Sequence, residues 1–399
     1  MKQEHIKQGY QWVEAIPAAA CMLLMFQAYL IAPLSPSLSV DLSSSLINLA
    51  VPAFAIPFAI SASAMIFIKP AINPRDYFVF SLIALCAGTY LLSIVTSATG
   101  FLTIRALTGL ATGAMLPSAI LLSLRPHQHK RSLKYMVLVI FALATGMTFG
   151  PSLGGWLNEL IGWRCLYRII RTLAALLLLI YIWEDRRERY DGVEPFVIKA
   201  AGRSPSDWKS RYNYSFVYLT GVFHSGVFVW ISHYFTTHYG LDEFQIATDL
   251  FIFGLPGFVV TLLMYFYRLD KKVITILYAS LGVTIAGLLA LMVSLPLWLA
   301  ECLLGIMSIG FGCSQPLFIG ILKLPRVGSS PIEPVAKGSA ILFAGYGTGP
   351  LIMLALLSVD LAAAMLFLIL LVLALAYTSR RVWNAGVSKV IPVIPLSNI

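Results

Sequence analysis

Apolar residues run along this chain in blocks of about 20, each cut off by a short polar or basic stretch. Allowing a few residues at each end, the blocks fall near 13–38, 46–68, 77–97, 101–124, 134–156, 164–183, 214–237, 245–267, 273–294, 296–322, 337–358 and 360–379. A helix of that length crosses the hydrocarbon core of a bilayer. The pattern therefore predicts an all-α membrane protein of twelve transmembrane helices. The longest polar stretch, Glu184–Asn213, parts six spans from six. Residues 1–183 then form an amino-terminal bundle, 184–213 a cytoplasmic linker, 214–379 a carboxy-terminal bundle and 380–399 a cytoplasmic tail. The first block is far longer than the apolar core of a signal peptide and contains Pro17, Pro33 and Pro36, so it stays as a helix.

Composition agrees. At 59% hydrophobic and 12% charged, the chain exceeds the apolar content of soluble domains, about 45–50%, and falls well below their charge of about 25%. The formal net charge of +10 would suit nucleic acid, but the basic residues are spread over the loops at every second turn, which is the topological pattern of a membrane protein. Cytoplasmic loops retain Lys and Arg, so both termini are expected inside, in the inner (plasma) membrane of a bacterium. The five cysteines, Cys21, Cys86, Cys165, Cys302 and Cys313, are scattered through apolar runs and form no disulfide or ligand pattern. No metal site and no cofactor is expected; His127–His129 lacks acid or Cys neighbours, and His233, His238 and Asp242 have only proximity in their favour. A phosphate loop is absent from the sequence, which argues against an ATP-driven pump.

The second half repeats the first. Moving it back by 199 positions superposes Pro57 on Pro256, Gly88 on Gly287, Gly113 on Gly312, Pro117 on Pro316 and Pro126 on Pro325. The same offset pairs Gly146 with Gly345, Gly150 with Gly349 and Pro151 with Pro350. Chance would give roughly one or two such pairs at ordinary Gly and Pro usage. Because each copy has an even number of spans, the two keep one orientation and are related by a pseudo-twofold axis along the membrane normal, the arrangement of two bundles that rock about a central cavity.

In the fifth span Gly146, Gly150 and Gly154 stand at successive i+4 positions, with Gly155 and Pro151 beside them. They open a groove for close helix approach, with either a purely structural role or one as a hinge or seal between the halves. Charges inside spans are costly and mark function. Arg164, Arg168 and Arg171 share one face of the sixth span, and Arg171 lies about 10 Å along it. Arg164 can snorkel to the surface. Arg105 on the fourth span, with Arg168 and Arg171, is expected to face Asp249 and Glu301 in a mixed-charge vestibule. Asp249, Glu301 and His224 are the candidates for proton coupling. Gln27, Tyr29, Trp230 and Gln315 could supply stacking and hydrogen bonds to a substrate.

Four runs carry a family resemblance. "GMTFGPSLGGWLNELIGWR" (Gly146–Arg164) resembles the antiporter motif of fifth helices in the major facilitator superfamily, followed by its Gly-Trp-Arg start to the sixth. "RALTGLATGAMLP" (Arg105–Pro117) is similar to its fourth-helix pattern, "YLIAPLSPSLSVDLS" (Tyr29–Ser43) to the end of its first helix, and "HYGLDEFQIATDL" (His238–Leu250) to the start of its eighth. The resemblance covers all twelve spans and points to the drug:H+ antiporter branch, which implies export of small amphiphilic compounds, with the fourth-helix Arg and the antiporter motif in coupling and gating. Two departures stand out. The loop between the second and third spans reads "IFIKPAINPRDYFV" (Ile66–Val79), where only Arg75 of the family's basic latch is in register, and Tyr29 occupies the place where many relatives carry an acid.

The sequence thus predicts a monomeric secondary transporter working by alternating access. Its partners are a small-molecule substrate, protons and the lipid bilayer, and proton-driven efflux of an amphiphile is the main expectation. Transport of an anionic metabolite or siderophore is the alternative, which the deep arginines would suit. A membrane enzyme would need an acid or His cluster at one membrane face, and the sequence has none.

Overall fold

The computed structural model describes residues 15–65, 71–123, 129–190, 198–199, 208–266, 273–312 and 332–384. Helix α1 is a bent pair, Ile16–Tyr29 and Ile31–Asp41, with 48° between its pieces. Helix α2 (Ala50–Ala64) is entered through a 3-10 turn, Ser45–Leu49. Then follow α3 (Pro74–Ile94), α4 (Ala98–Thr112 continued by Met115–Leu122), α5 (His129–Ile161) and α6 (Trp163–Tyr190). The second half comprises α7 (Trp208–Tyr239), α8 (Glu243–Phe266), α9 (Val273–Ala290), α10 (Leu297–Gly312), α11 (Ile332–Leu357) and α12 (Leu361–Asn384).

Among the described residues nine helices are long and apolar enough to span a membrane alone, and the bent α1 makes ten. The ninth and tenth predicted spans are present as shorter apolar helices, Thr275–Ala290 and Leu297–Ile309. Helix α6 continues to Tyr190 and α7 begins at Trp208, so both enter the stretch read as linker. Residues such as Glu184, Arg186, Arg187 and Glu188 are good helix formers once a membrane helix has supplied the nucleus. Among the described residues two short strands are not helical: β1 (Ala71–Ile72) pairs antiparallel with β2 (Ile198–Lys199), Ala71 opposite Lys199.

Local chemistry sets the breaks. Pro33 cannot donate to the carbonyl of Tyr29, nor Pro36 to that of Ala32, and the chain bends at Leu30. Gly162 and Gly240 end α5 and α7 in the left-handed region, at φ +75° and +67°. Their N–H groups close on Asn158 O at 2.8 Å and Thr236 O at 3.1 Å, so the chain can turn at once into the next helix.

The duplication read from glycines and prolines recurs as contacts. Gly88 abuts Thr108 and Gly287 abuts Met307; Gly113 abuts the Phe58 carbonyl and Gly312 that of Gly257. On α5 Gly146 and Gly150 receive Met22 and Phe26 of α1, while on α11 Gly345 and Gly349 receive Gly221 and Ser225 of α7. Every partner is displaced by the same 199 positions as the glycine it touches.

The halves meet along two seams, α2 on α11 and α5 on α8. In the first, Phe58 stacks on Phe343 with ring centres 3.7 Å apart and Ile56 lies on Gly347. In the second, Phe141 and Phe149 meet Phe258 at 5.0 and 5.2 Å, and Thr148 lies on Gly254. The repeat carries Ile56–Gly347 onto positions 255 and 148, one residue from the Gly254–Thr148 contact, so it exchanges the two seams. Pro57, Pro151, Pro256 and Pro350 sit inside these four seam helices at repeat-equivalent places.

Candidate functional site

A cavity of about 460 Å³ lies between the halves on the face that bears the α1–α2 turn. One wall is the second piece of α1, with Ala32, Ser35, Pro36 and Ser39, together with Ser45 and Asn48 of the 3-10 turn that leads into α2. The facing wall is α7, with Ser225, Val229, Ser232 and Thr236, closed by Pro350 and Leu354 of α11 and Ile246 of α8. This volume falls in the usual range for small-molecule sites, about 300–1,000 Å³.

Its floor is aromatic. The Tyr29 ring meets His224, Phe228 and Tyr346 with centres 5.6, 5.8 and 5.5 Å apart, in edge-on geometry that favours such contacts. Tyr346 donates across the halves to Met147 Sδ at 3.2 Å and touches Phe343, which continues the cluster to Phe58. On the other side of this cluster is a pocket of only about 30 Å³, lined by Met147, Thr148, His224, Phe228 and Phe253 among others. Tyr29 and Phe228 therefore face the large cavity, while Phe228 and His224 face the small one. The ring cluster is the partition between them.

Arg105 is fully buried but does not reach the cavity. Its Nη1 donates to Gln27 O at 3.0 Å, Nη2 to Ala28 O at 3.1 Å and Nε to Ala50 O at 3.1 Å, and its Cζ lies 5.0 Å from the centre of the Phe54 ring. It ties the bend of α1 to the start of α2. The expected vestibule of opposed charges is corrected accordingly. Arg168 is exposed on the outside of α6, and half-buried Arg171 lies 5.3 Å from the Tyr90 ring centre at the α3–α6 boundary. Arg164 snorkels to the surface, where it pairs with Asp41 at 3.0 Å and donates to Val95 O at 2.7 Å.

The remaining predicted residues divide. Tyr29 and His224 meet at the partition. Gln27 is buried beneath it, its side-chain amide without a hydrogen-bond partner among the described residues. Trp230 stacks on Tyr234 at 5.1 Å inside the second half, away from the cavity. Gln315 lies outside the described residues. Gly146, Gly150 and Gly154 serve the α1 contact within the first half, and Pro151 is buried beside them; Gly155 instead abuts Ala247 across the second seam. His233 lines the cavity, His238 stacks on Tyr234 at 4.5 Å and Asp242 caps α8, so these three do not form a common site.

Asp249 is 1% exposed at the contact of α8 with α10, close enough to half-buried Glu301 for the two carboxyl groups to interact. Its Oδ2 has no hydrogen-bond partner among the described residues. The repeat places Asp249 on Ala50 and Arg105 on Leu304. Equivalent corners of the two halves thus hold a buried cation in one and a buried carboxyl group in the other.

One functional cluster was missed by sequence reasoning. Glu243, in the first turn of α8, takes the Ser37 N–H at 2.5 Å and the Ser37 hydroxyl, and Asn158 donates to it at 3.3 Å. This joins α1 and α5 of the first half to α8 of the second, beside the Trp156 Nε1 to Thr248 bond of 3.1 Å. The signal was the capping box Asp242-x-x-Gln245, whose reciprocal bonds of 3.0 and 2.9 Å fix the start of α8 and aim Glu243 at the seam.

Two duplicated six-helix bundles enclosing a membrane-embedded cavity define a secondary transporter. The family model described as Major Facilitator Superfamily matches residues 18–323, and the chain belongs to that family. No curated protein matches the chain. Among solved structures it is similar to the human organic anion transporter MFSD10 (TETRAN), with a TM-score of 0.60 and 15% identity over 95% of this chain and 98% of that one. At that identity the likeness is one of fold.

Proposed function

We propose that this transporter exports a small amphiphilic molecule in exchange for protons, as a monomer in the bacterial inner membrane with both termini in the cytoplasm. The cavity carries this reading: it is shared by the two halves of one chain, opens on one face and is partitioned from the other by the Tyr29–His224–Phe228–Tyr346 cluster. Its aromatic floor suits a ring, and its walls mix aliphatic and hydroxyl groups, which suits an amphiphile. Basic loops on the opposite face support an outward-facing orientation of the cavity. The drug:H+ antiporter resemblance of α4 and α5 supports export.

For the proton, Asp249 is the favoured carrier. A buried carboxyl group with an unpartnered oxygen beside a second acid can exchange a proton as the second half tilts. Transport of organic anions, the activity named for MFSD10, is not adopted, because no Lys or Arg lines the cavity among the described residues.

Proteoliposomes test this. Three probes sharing one ring, 4-nitrophenyl β-glucoside, 4-nitrophenyl phosphate and (4-nitrobenzyl)trimethylammonium, are trapped together with a pH-sensitive dye, and a pH gradient is imposed. At least one probe should move with the gradient and carry counter-moving protons, and Asp249→Asn should abolish the coupling. If no probe responds to the gradient, the proposal falls.

A further inference from the structure

The proposed transport leaves the substrate's head group open, and the uncharged, hydroxyl-bearing lining of the cavity narrows it. We infer that the cavity selects an uncharged amphiphile carrying hydroxyl or amide donors next to a flat ring, of the aryl glycoside type; this deepens the transport reading and rests on it.

On α7 the positions Ser225, Ser232 and Thr236 fall at i, i+7 and i+11, one face of the helix, and on α1 Ser35 and Ser39 stand at i and i+4. Two helices therefore present stripes of hydroxyl groups to one another across the opening. Three of the seven lining Ser and Thr hydroxyl groups are spent as donors. Ser225 Oγ donates to Gly221 O at 2.9 Å, Ser232 Oγ to Phe228 O at 3.1 Å and Ser35 Oγ to Asn48 Oδ1 at 2.5 Å. A hydroxyl that has given away its one hydrogen retains lone pairs, so these three face the cavity as acceptors, while Ser39, Ser45, Thr236 and Thr237 keep a hydrogen to give and the Asn48 amide nitrogen is a further donor at the rim.

This polarity sorts ligands. An anionic head would find hydroxyl groups but, among the described residues, no lining cation to offset its loss of water. A quaternary cation brings charge without N–H or O–H donors, and no carboxylate lines the cavity among the described residues. Two charged groups close by are committed, Arg105 to three carbonyls and Glu243 to Ser37 and Asn158 at the seam. His233 is the one lining imidazole among the described residues, and in its neutral form it offers one donor and one acceptor. A neutral polyol both gives and takes hydrogen bonds, which matches this mixed and uncharged wall, while its ring rests on Tyr29 and Phe228.

The experiment is equilibrium binding of the same three nitrophenyl probes to the full-length chain in nanodiscs of neutral lipid, with empty nanodiscs as the partition control. The glucoside should bind about 10-fold tighter than either charged probe, which corresponds to about 1.4 kcal/mol. Removing two lining hydroxyl groups by Ser232→Ala and Thr236→Val together should weaken it by about that factor again, one lost hydrogen bond or more. Ser232→Thr should restore binding, which separates loss of an acceptor from loss of fold. Equal or tighter binding of the phosphate or the ammonium probe, indifference of glucoside binding to the double variant, or no glucoside binding at all would each overturn the inference. Gradient-driven flux of a charged probe alone would overturn it while leaving transport standing; glucoside binding with no flux of any probe would do the reverse.

Discussion

The Nη1 of Arg105 donates to the carbonyl of Gln27 at 3.0 Å, which makes a charge that reads as a substrate ligand into a brace for a bent helix. Its fork also holds Ala28 O and Ala50 O, so the elbow of α1 and the first turn of α2 are fixed to α4 at one point. Interhelical hydrogen bonds in membranes are worth about 0.6 kcal/mol on average, up to about 1.7. Arg105→Gln should therefore lower stability by about 2 kcal/mol, read as a fall in the thermal midpoint in detergent. Arg105→Lys should recover less than half of that, because an ammonium cannot reproduce the planar fork. Full recovery by Lys would show that charge, not geometry, matters here.

The glycine contacts should be interchangeable between the copies. A Cβ on Gly146 would strike Met22, and one on Gly345 would strike the Tyr218 carbonyl. Gly146→Val and Gly345→Val should each destabilise by about 1–3 kcal/mol, as overpacking does. A methyl group on Gly282 would meet nothing within 4 Å, and Gly282→Ala should be neutral or slightly stabilising. Thermal unfolding of the three variants side by side decides it; unequal effects of the two valines would argue against equivalent contacts.

The Phe58–Phe343 stack crosses the first seam at 3.7 Å. A double-mutant cycle with Leu at both positions should give a coupling of about 0.5–1.5 kcal/mol. Strict additivity would mean that the rings merely fill space.

At the second seam, removal of the Glu243 carboxylate leaves Ser37 and Asn158 without their common acceptor. Spin labels at Leu160 and Phe244, placed at the ends of α5 and α8, should report longer and broader distances in Glu243→Ala, with Glu243→Gln intermediate because one carbonyl oxygen survives. An unchanged distribution in the alanine variant would remove the latch role.

The Arg164–Asp41 pair is a useful contrast. Its side chains are 34% and 47% exposed, so Asp41→Asn should cost no more than about 1 kcal/mol, less at high salt. Thermal midpoints measured at low and high ionic strength check both statements.

The spans and the duplication were legible because both are written in one dimension: block length sets a membrane helix, and Gly and Pro at fixed offset mark where two helices touch. Tyr29 and His224 were legible for a related reason, being polar groups in apolar helices. The directions of the arginines were not. Arg105 and Arg171 look alike in sequence, yet one turns inward to three carbonyls and the other lies over Tyr90 at the outer helix pair, a difference set by which face each helix turns to its neighbours. Phe228 and Tyr346 were equally hidden, because an aromatic residue in an apolar block carries no mark of facing a cavity.

The short ladder between Ala71–Ile72 and Ile198–Lys199 has a mechanical corollary. It fastens the connection to the first half at Ile198–Lys199, and Trp208, the first residue of α7, follows nine positions later. Nine steps of chain reach no more than about 30 Å when taut. The start of α7 is accordingly tied within that reach of the start of α3, which bounds how far the second half can travel from the first.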